Sequence, residues 1–201
     1  MKHKTLLLSA FVLVALAQLF VPYQMISKEA DYASSGREFQ FRIRHNRPDG
    51  YRGGYSGSTI QGKYIWLQFE QDQFKIANRK TWEPGQIAYV SFSSDSLGNA
   101  KILSVTKTKP VATGDWVKAR AFMNNRDTSV LHLSYPFNNY YIEDKDTRDI
   151  DSAFTKKMND SLSAICLKVK IKENQFIVND LVVDSLSFKD FVMKIREKKS
   201  N

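Results

Sequence analysis

The chain has 201 residues, 30 Lys and Arg against 21 Asp and Glu, a net charge of +9 and one cysteine. Cys166 alone excludes an intrachain disulfide, so the fold rests on packing. Setting aside the first 26 residues leaves about 175, enough for one ordinary domain or two small ones with a core of their own.

Lys2-His3-Lys4 precedes an apolar run from Leu6 to Ile26, broken only by Ser9, Gln18, Pro22, Tyr23 and Gln24. About 20 helical residues cross a hydrocarbon core, so residues 1–26 are expected to form a single-pass N-terminal transmembrane helix, a signal-anchor. The basic start keeps the N-terminus in the cytoplasm and places the rest beyond the membrane. A competing reading is cleavage after Ala17, because Ala15-Leu16-Ala17 has the small-residue pattern of a signal peptidase site. Both readings export the remainder, which keeps an excess of basic side chains suited to an anionic surface or an acidic partner.

Residues 27–37 read as a polar tether and 38–201 as the exported domain, with a candidate divide between subdomains near 110. Phe39 to Arg44 alternates apolar and polar, the period of a half-buried strand. A turn-rich stretch from Asn46 to Gly62 reads as a surface loop. Tyr64 to Phe69 is a second strand, Phe74 to Ile76 a third, and Ile87 to Phe92 and Ala100 to Lys107 are joined by a hairpin-like connection at Ser93 to Gly98. Asp115 to Met123 and Val130 to Tyr135 suit an antiparallel pair around residues 124–127. In Asp149 to Asp160 a helix would share one face among Ile150, Ala153, Phe154, Lys157 and Met158. Ile165 to Ile171 alternates with Cys166, Lys168, Lys170 and Lys172, a strand with one wet face, and Phe176 to Val178 can pair back on it. Ser187 can cap a terminal helix with Phe188, Phe191, Val192 and Ile195 on one side. The expected fold is therefore mainly β, a small antiparallel barrel- or sandwich-like domain with one or two short helices near the C-terminus.

Residues 62–69 read GKYIWLQF. This resembles the motif of the GDYXXLXY family of membrane-anchored proteins, with Lys63 for its Asp and Phe69 for its final Tyr. The anchor's Val21 to Ile26 ending, Gly36-Arg37-Glu38-Phe39, Tyr89-Val90, Thr108-Lys109-Pro110 and Tyr140-Tyr141-Ile142-Glu143 follow that family's layout in order. Arg47 to Gly53 is followed here by an extra loop, Gly54 to Gln61, where the family runs straight into the motif. The resemblance implies a protein of the bacterial inner membrane whose periplasmic domain works beside a multi-pass membrane protein. It implies no established reaction, and neither cofactor nor metal. Its candidate motif or partner-binding residues are Gly62, Lys63, Tyr64, Trp66, Leu67, Phe69, Tyr140, Tyr141 and Glu143. By period, Tyr64, Trp66 and Gln68 face one way and Ile65, Leu67 and Phe69 the other. The set suits either core structure or a groove lined by Tyr64 and Trp66, since aromatics are enriched where partners bind.

Other patterns carry less chemistry. Glu143, Asp144, Asp146, Asp149 and Asp151 are densely acidic, but an EF-hand begun at Asp144 would put Arg148 at its fifth position and Asp149 where glycine is needed. The cluster suits the positive end of a helix. The glycine-rich loop lacks phosphate-binding spacing, and export removes nucleic acid as a partner. Cys166 sits beside Lys168, which would lower its pKa, yet only His45 and His132 lie outside the anchor as bases. Arg42, Arg44, Arg47 and Arg52 form a candidate basic surface for lipid headgroups or an acidic loop, against a plain solvated strand face. Three functions follow: an accessory protein, an exported hydrolase of unspecified type, and a lipid- or polyanion-binding module.

Overall fold

The computed structural model describes residues 34–44, 55–58, 62–76, 82–111, 114–123, 129–142, 147–160 and 162–200, with a few positions between 11 and 27. For 55–58, 62–63, 147–152 and 199–200 the backbone alone is described. Among the described residues no helix is long and apolar enough to cross a membrane. The apolar run expected to do so lies largely outside them.

Strands dominate, all antiparallel within their sheets. β1 (Arg37–Arg42), β10 (Ile165–Lys172), β11 (Gln175–Val183) and β12 (Leu186–Ser187) make a four-stranded sheet in that order. β2 (Tyr55–Ser58), β3 (Gly62–Trp66) and β9 (Asn139–Ile142) make a second. The third runs β4 (Gln73–Lys75), β8 (Val130–Ser134), β7 (Trp116–Met123), β5 (Gln86–Ser94), β6 (Ala100–Thr106). Single bridges, Gln40 of β1 to Asn99 and Ile43 just after β1 to Phe69, draw the strands toward a nearly closed barrel. β5 pairs with β7, so strands from both sides of residue 110 share one hydrogen-bonded sheet.

Alternation in sequence becomes alternation in burial. Along β1 the side chains of Phe39 and Phe41, then Ile43, are at most 1% exposed, while Glu38 and Arg42 lie in solvent. β10 repeats the pattern, with Ile165, Leu167, Val169 and Ile171 inside and Cys166 and the lysines outside. One apolar cluster results, and its densest part is aromatic. Phe41 has Phe137, Phe92, Phe69 and Tyr135 at ring distances of 4.9, 5.2, 5.4 and 5.9 Å. Tilted and edge contacts of this kind contribute about 0.5–1.5 kcal/mol per pair beyond area burial.

Two hairpins turn on non-glycine residues at positive φ. Glu173 and Asn174 (φ 45° and 71°) join β10 to β11, and Asp184 and Ser185 (φ 49° and 69°) join β11 to β12. Positive φ at both central positions matches the twist of the flanking strands, and Asn and Asp bear it best among side chains with a Cβ. The loop is thus shorter and the return strand longer than the sequence pattern suggests, with Gln175 already paired to Lys172.

Two helices cover the end of the cluster. In α1 (Thr147–Asn159) Phe154 is buried with Ala153 and Met158 half-buried beside it, and Lys157 reaches Asp184 at 2.6 Å. The Ile150 side chain lies outside the described residues. α2 (Phe188–Ser200) begins where expected: Ser187 Oγ accepts a hydrogen bond from the Asp190 backbone N–H at 3.1 Å, an N-cap. Phe188 packs edge-on against both Tyr140 and Phe154.

Candidate functional site

The motif occupies β3 and the three residues after it. Gly62 and Lys63 pair with Ser58 and Gly57 of β2, and Lys63 to Trp66 pair with Ile142 to Asn139 of β9. Part of the presumed loop is therefore a strand, a correction that register explains: Tyr55–Ser58 supplies backbone partners along the far edge of β3, which would otherwise stand unpaired. The rest of the glycine-rich stretch lies outside the described residues.

Ile65, Leu67 and Phe69 are 3%, 2% and 1% exposed. The core reading holds for that face. On the other, Tyr64 and Trp66 are half-buried, and Tyr64 meets its cross-strand neighbour Tyr141 at 5.9 Å between rings. Tyr141 is 61% exposed, so this pair forms surface. Tyr140 turns the opposite way onto Phe188, where burial, reinforced by Asp180, raises its pKa against an opposing hydrogen bond from the Leu181 backbone. Glu143 lies outside the described residues.

Beside Trp66 an open groove of about 400 Å³ follows the motif. One wall is residues 66–69 with Asp72; the other is Phe122 of β7, His132 to Ser134 of β8, Tyr135 and Asn138. Three contacts hold the walls in place. The Leu67 N–H donates to the Asn138 carbonyl at 2.7 Å, the Tyr135 hydroxyl to the Gln71 carbonyl at 2.6 Å, and Asn138 Nδ2 to Ser134 Oγ at 3.3 Å. Burial, with Asp72 nearby, pushes the Tyr135 phenol well above its usual 10. Gln71 Oε1 is buried without a hydrogen-bond partner in the 3₁₀ turn that ends this wall, at a penalty of about 1–3 kcal/mol.

Arg44 fixes that same turn. Its Nη2 donates to the Phe69 carbonyl at 3.0 Å and to Asp72 Oδ1 at 2.5 Å, with the two charged side chains only 18% and 14% exposed. Arg44 therefore braces the groove instead of contributing to an open basic surface. Arg42 is exposed on β1, while Arg47 and Arg52 lie outside the described residues. Of the four candidate arginines, Arg44 is thus committed to a carboxylate and a carbonyl in this turn.

Cys166 is half-buried on the polar face of β10, opposite Arg42 and beside Gln40. Burial raises its pKa, outweighing Lys168 and Arg42. The expectation of a lowered pKa is corrected: lost hydration acts on the thiolate directly, and Asp180 and Glu38 oppose the two cations. His132 lines the groove in a different sheet. His45, and the side chains of the acidic cluster from Glu143 to Asp151, lie outside the described residues.

The sequence pattern singled out Trp66 but not Phe122, Ser134 or Asn138. Period two in Val130 to Tyr135 does turn His132 and Ser134 away from the core. Nothing in the sequence says that β8 and the motif border one groove. Comparison with family models, curated proteins and solved structures finds no match to the chain.

Proposed function

We propose that the chain is a membrane-anchored accessory protein of the bacterial inner membrane. Residues 1–26 hold it in the bilayer with the N-terminus cytoplasmic, and the periplasmic β domain receives a segment of a multi-pass membrane protein. The observation that carries this reading is the groove along the motif: Trp66 and Phe122 offer apolar contact, while His132, Ser134 and Asn138 offer hydrogen-bonding groups. A mixed lining of this kind suits an extended polypeptide, whose backbone needs partners while its side chains need pockets. The pair of half-buried Tyr64 and exposed Tyr141 extends the same face.

A photo-crosslinking residue at position 66 of the full chain, expressed in its native membrane, tests the assignment. Its adduct should be with a polytopic membrane protein, mapping to an extracytoplasmic loop. A probe at exposed Lys189 on α2 should not give that adduct. Adducts with soluble proteins only, or the same adducts from both positions, would overturn the assignment.

A further inference from the structure

β5, β6 and β7 contain no Asp or Glu. Their outer face nevertheless carries Lys101, Lys118 and Arg120, all exposed, and Lys109 lies over it. Aromatic rings position two of these cations: Lys118 Nζ stands 6.0 Å from the Tyr89 ring centre and Lys109 Nζ 5.6 Å from that of Trp116. The ring faces attract the ammonium groups without neutralising them. None of the described ion pairs, Arg37–Asp115, Arg44–Asp72 and Lys157–Asp184, involves these four residues.

Apolar side chains stand among the charges. Leu103, beside a bulge in β6, is 68% exposed and Ile87 51%. Exposed aliphatic groups interspersed with cations suit a bilayer interface, where the former enter the acyl boundary and the latter meet headgroup phosphates. Trp116 is only 4% exposed, so its ring is not available to stack on nucleic-acid bases or sugar rings. This distinguishes the face from a stacking platform for single strands.

The position of the tether supplies a second argument. Arg37, the first residue of β1, donates to Ser94 Oγ at the end of β5 and faces Asp115 just before β7. The chain thus enters the domain at one end of this face. Residues 27–36 can extend at most about 35 Å from the expected span, which keeps the face within reach of the bilayer.

We propose that the outer face of β5, β6 and β7, with Lys101, Leu103, Lys109, Ile87, Lys118 and Arg120, docks on anionic phospholipid headgroups of the membrane that anchors the chain. This rests on the membrane-anchored reading above. Phe122, which lines the groove, lies on the same side of β7 as Lys118 and Arg120, so docking would bring the groove toward the membrane surface, where a partner's extracytoplasmic loops emerge.

Amine labelling with an N-hydroxysuccinimide ester, read by mass spectrometry, tests docking on the full chain in nanodiscs. In phosphatidylcholine with one-third phosphatidylglycerol, Lys101, Lys109 and Lys118 should label at least about threefold less than in phosphatidylcholine alone, and Lys189 equally in both. Salt at 0.5 M should abolish the difference. The double variant Lys101→Glu, Lys109→Glu should restore labelling of Lys118, with unchanged circular dichroism showing that the fold persists. Equal labelling in both lipids would overturn the proposal. Equal protection by soluble polyglutamate would also overturn it, in favour of an acidic protein. Carbonate extraction of native membranes reports on the anchor separately. If the chain were released, its co-sedimentation with phosphatidylglycerol vesicles would still read the face alone, and failure there would overturn docking whatever the state of the anchor.

Discussion

Along residues 64–69 one face is nearly sealed and the other stays half-open. Ile65, Leu67 and Phe69 are at most 3% exposed, each packed in the common cluster, whereas Tyr64, Trp66 and Gln68, one residue away, border solvent. The inward residues are explained by burial alone. The outward ones are not, since a strand with one wet face is stable with small or polar residues there. Here Tyr64 gains a cross-strand ring contact with Tyr141, and Trp66 lines the groove on which the proposed function rests.

The sharpest way to break this comparison is to truncate each face. Phe69→Ala removes a ring that meets Phe41, Tyr135 and Phe137 within 6.2 Å. It should destabilise the domain by about 3–5 kcal/mol in urea denaturation of the full chain in detergent. A loss below about 1 kcal/mol would show that the inward face is not core.

Next in size is the brace between the faces. Arg44→Ala leaves Asp72 and the Phe69 carbonyl without their charged donor in a largely covered position, and should destabilise by about 2–3 kcal/mol. If the brace also shapes the groove, the position-66 crosslink should weaken in Arg44→Ala under conditions where the domain is still folded. An undiminished crosslink would separate the ion pair from binding.

Tyr135 offers a reading by pH. Its phenol is held well above 10 by burial, so the native state favours the neutral form more than the unfolded chain does. That contribution is complete below about pH 10 and is lost as pH rises past the unfolded value toward the raised native one. Tyr135→Phe removes the hydrogen bond to Gln71, which should lower stability near neutrality by about 1 kcal/mol. It should also flatten the decline between pH 10 and 12 in a denaturation series. An unchanged alkaline slope would show that another group governs that limb.

The smallest expected effect on stability is the most telling for function. Trp66→Ala on the half-open face should cost about 1 kcal/mol or less, yet abolish co-purification of the multi-pass partner in detergent. A large destabilisation would return Trp66 to the core; retained partner with unchanged stability would remove it from the binding face.

Several features were legible because they rest on local periodicity. Phe39 to Ile43, Ile165 to Ile171 and the Ser187 cap follow from spacing of two, spacing of two and a hydroxyl before a helical stripe. Others were hidden for physical reasons. Tyr55–Ser58 reads as a loop because a glycine-rich strand carries little apolar pattern, and only its pairing with β3 makes it one. Arg44 looks like surface charge until Asp72, 28 residues away, is brought against it. Lys168 looks able to activate Cys166 until burial is weighed.

By itself the sequence determined the β-rich class, the inward and outward sets of most strands, and both helices, since each depends on residues a few positions apart. It also carries the apolar N-terminal run and the excess of positive charge. The tertiary structure alone decided which strands adjoin. β1 pairs with β10 across more than a hundred residues, and β8 closes the groove opposite the motif. The basic face of β5, β6 and β7 likewise exists only once strands on both sides of residue 110 share a sheet. Periodicity says which way a side chain points but not what stands beside it, and a binding surface is made of neighbours.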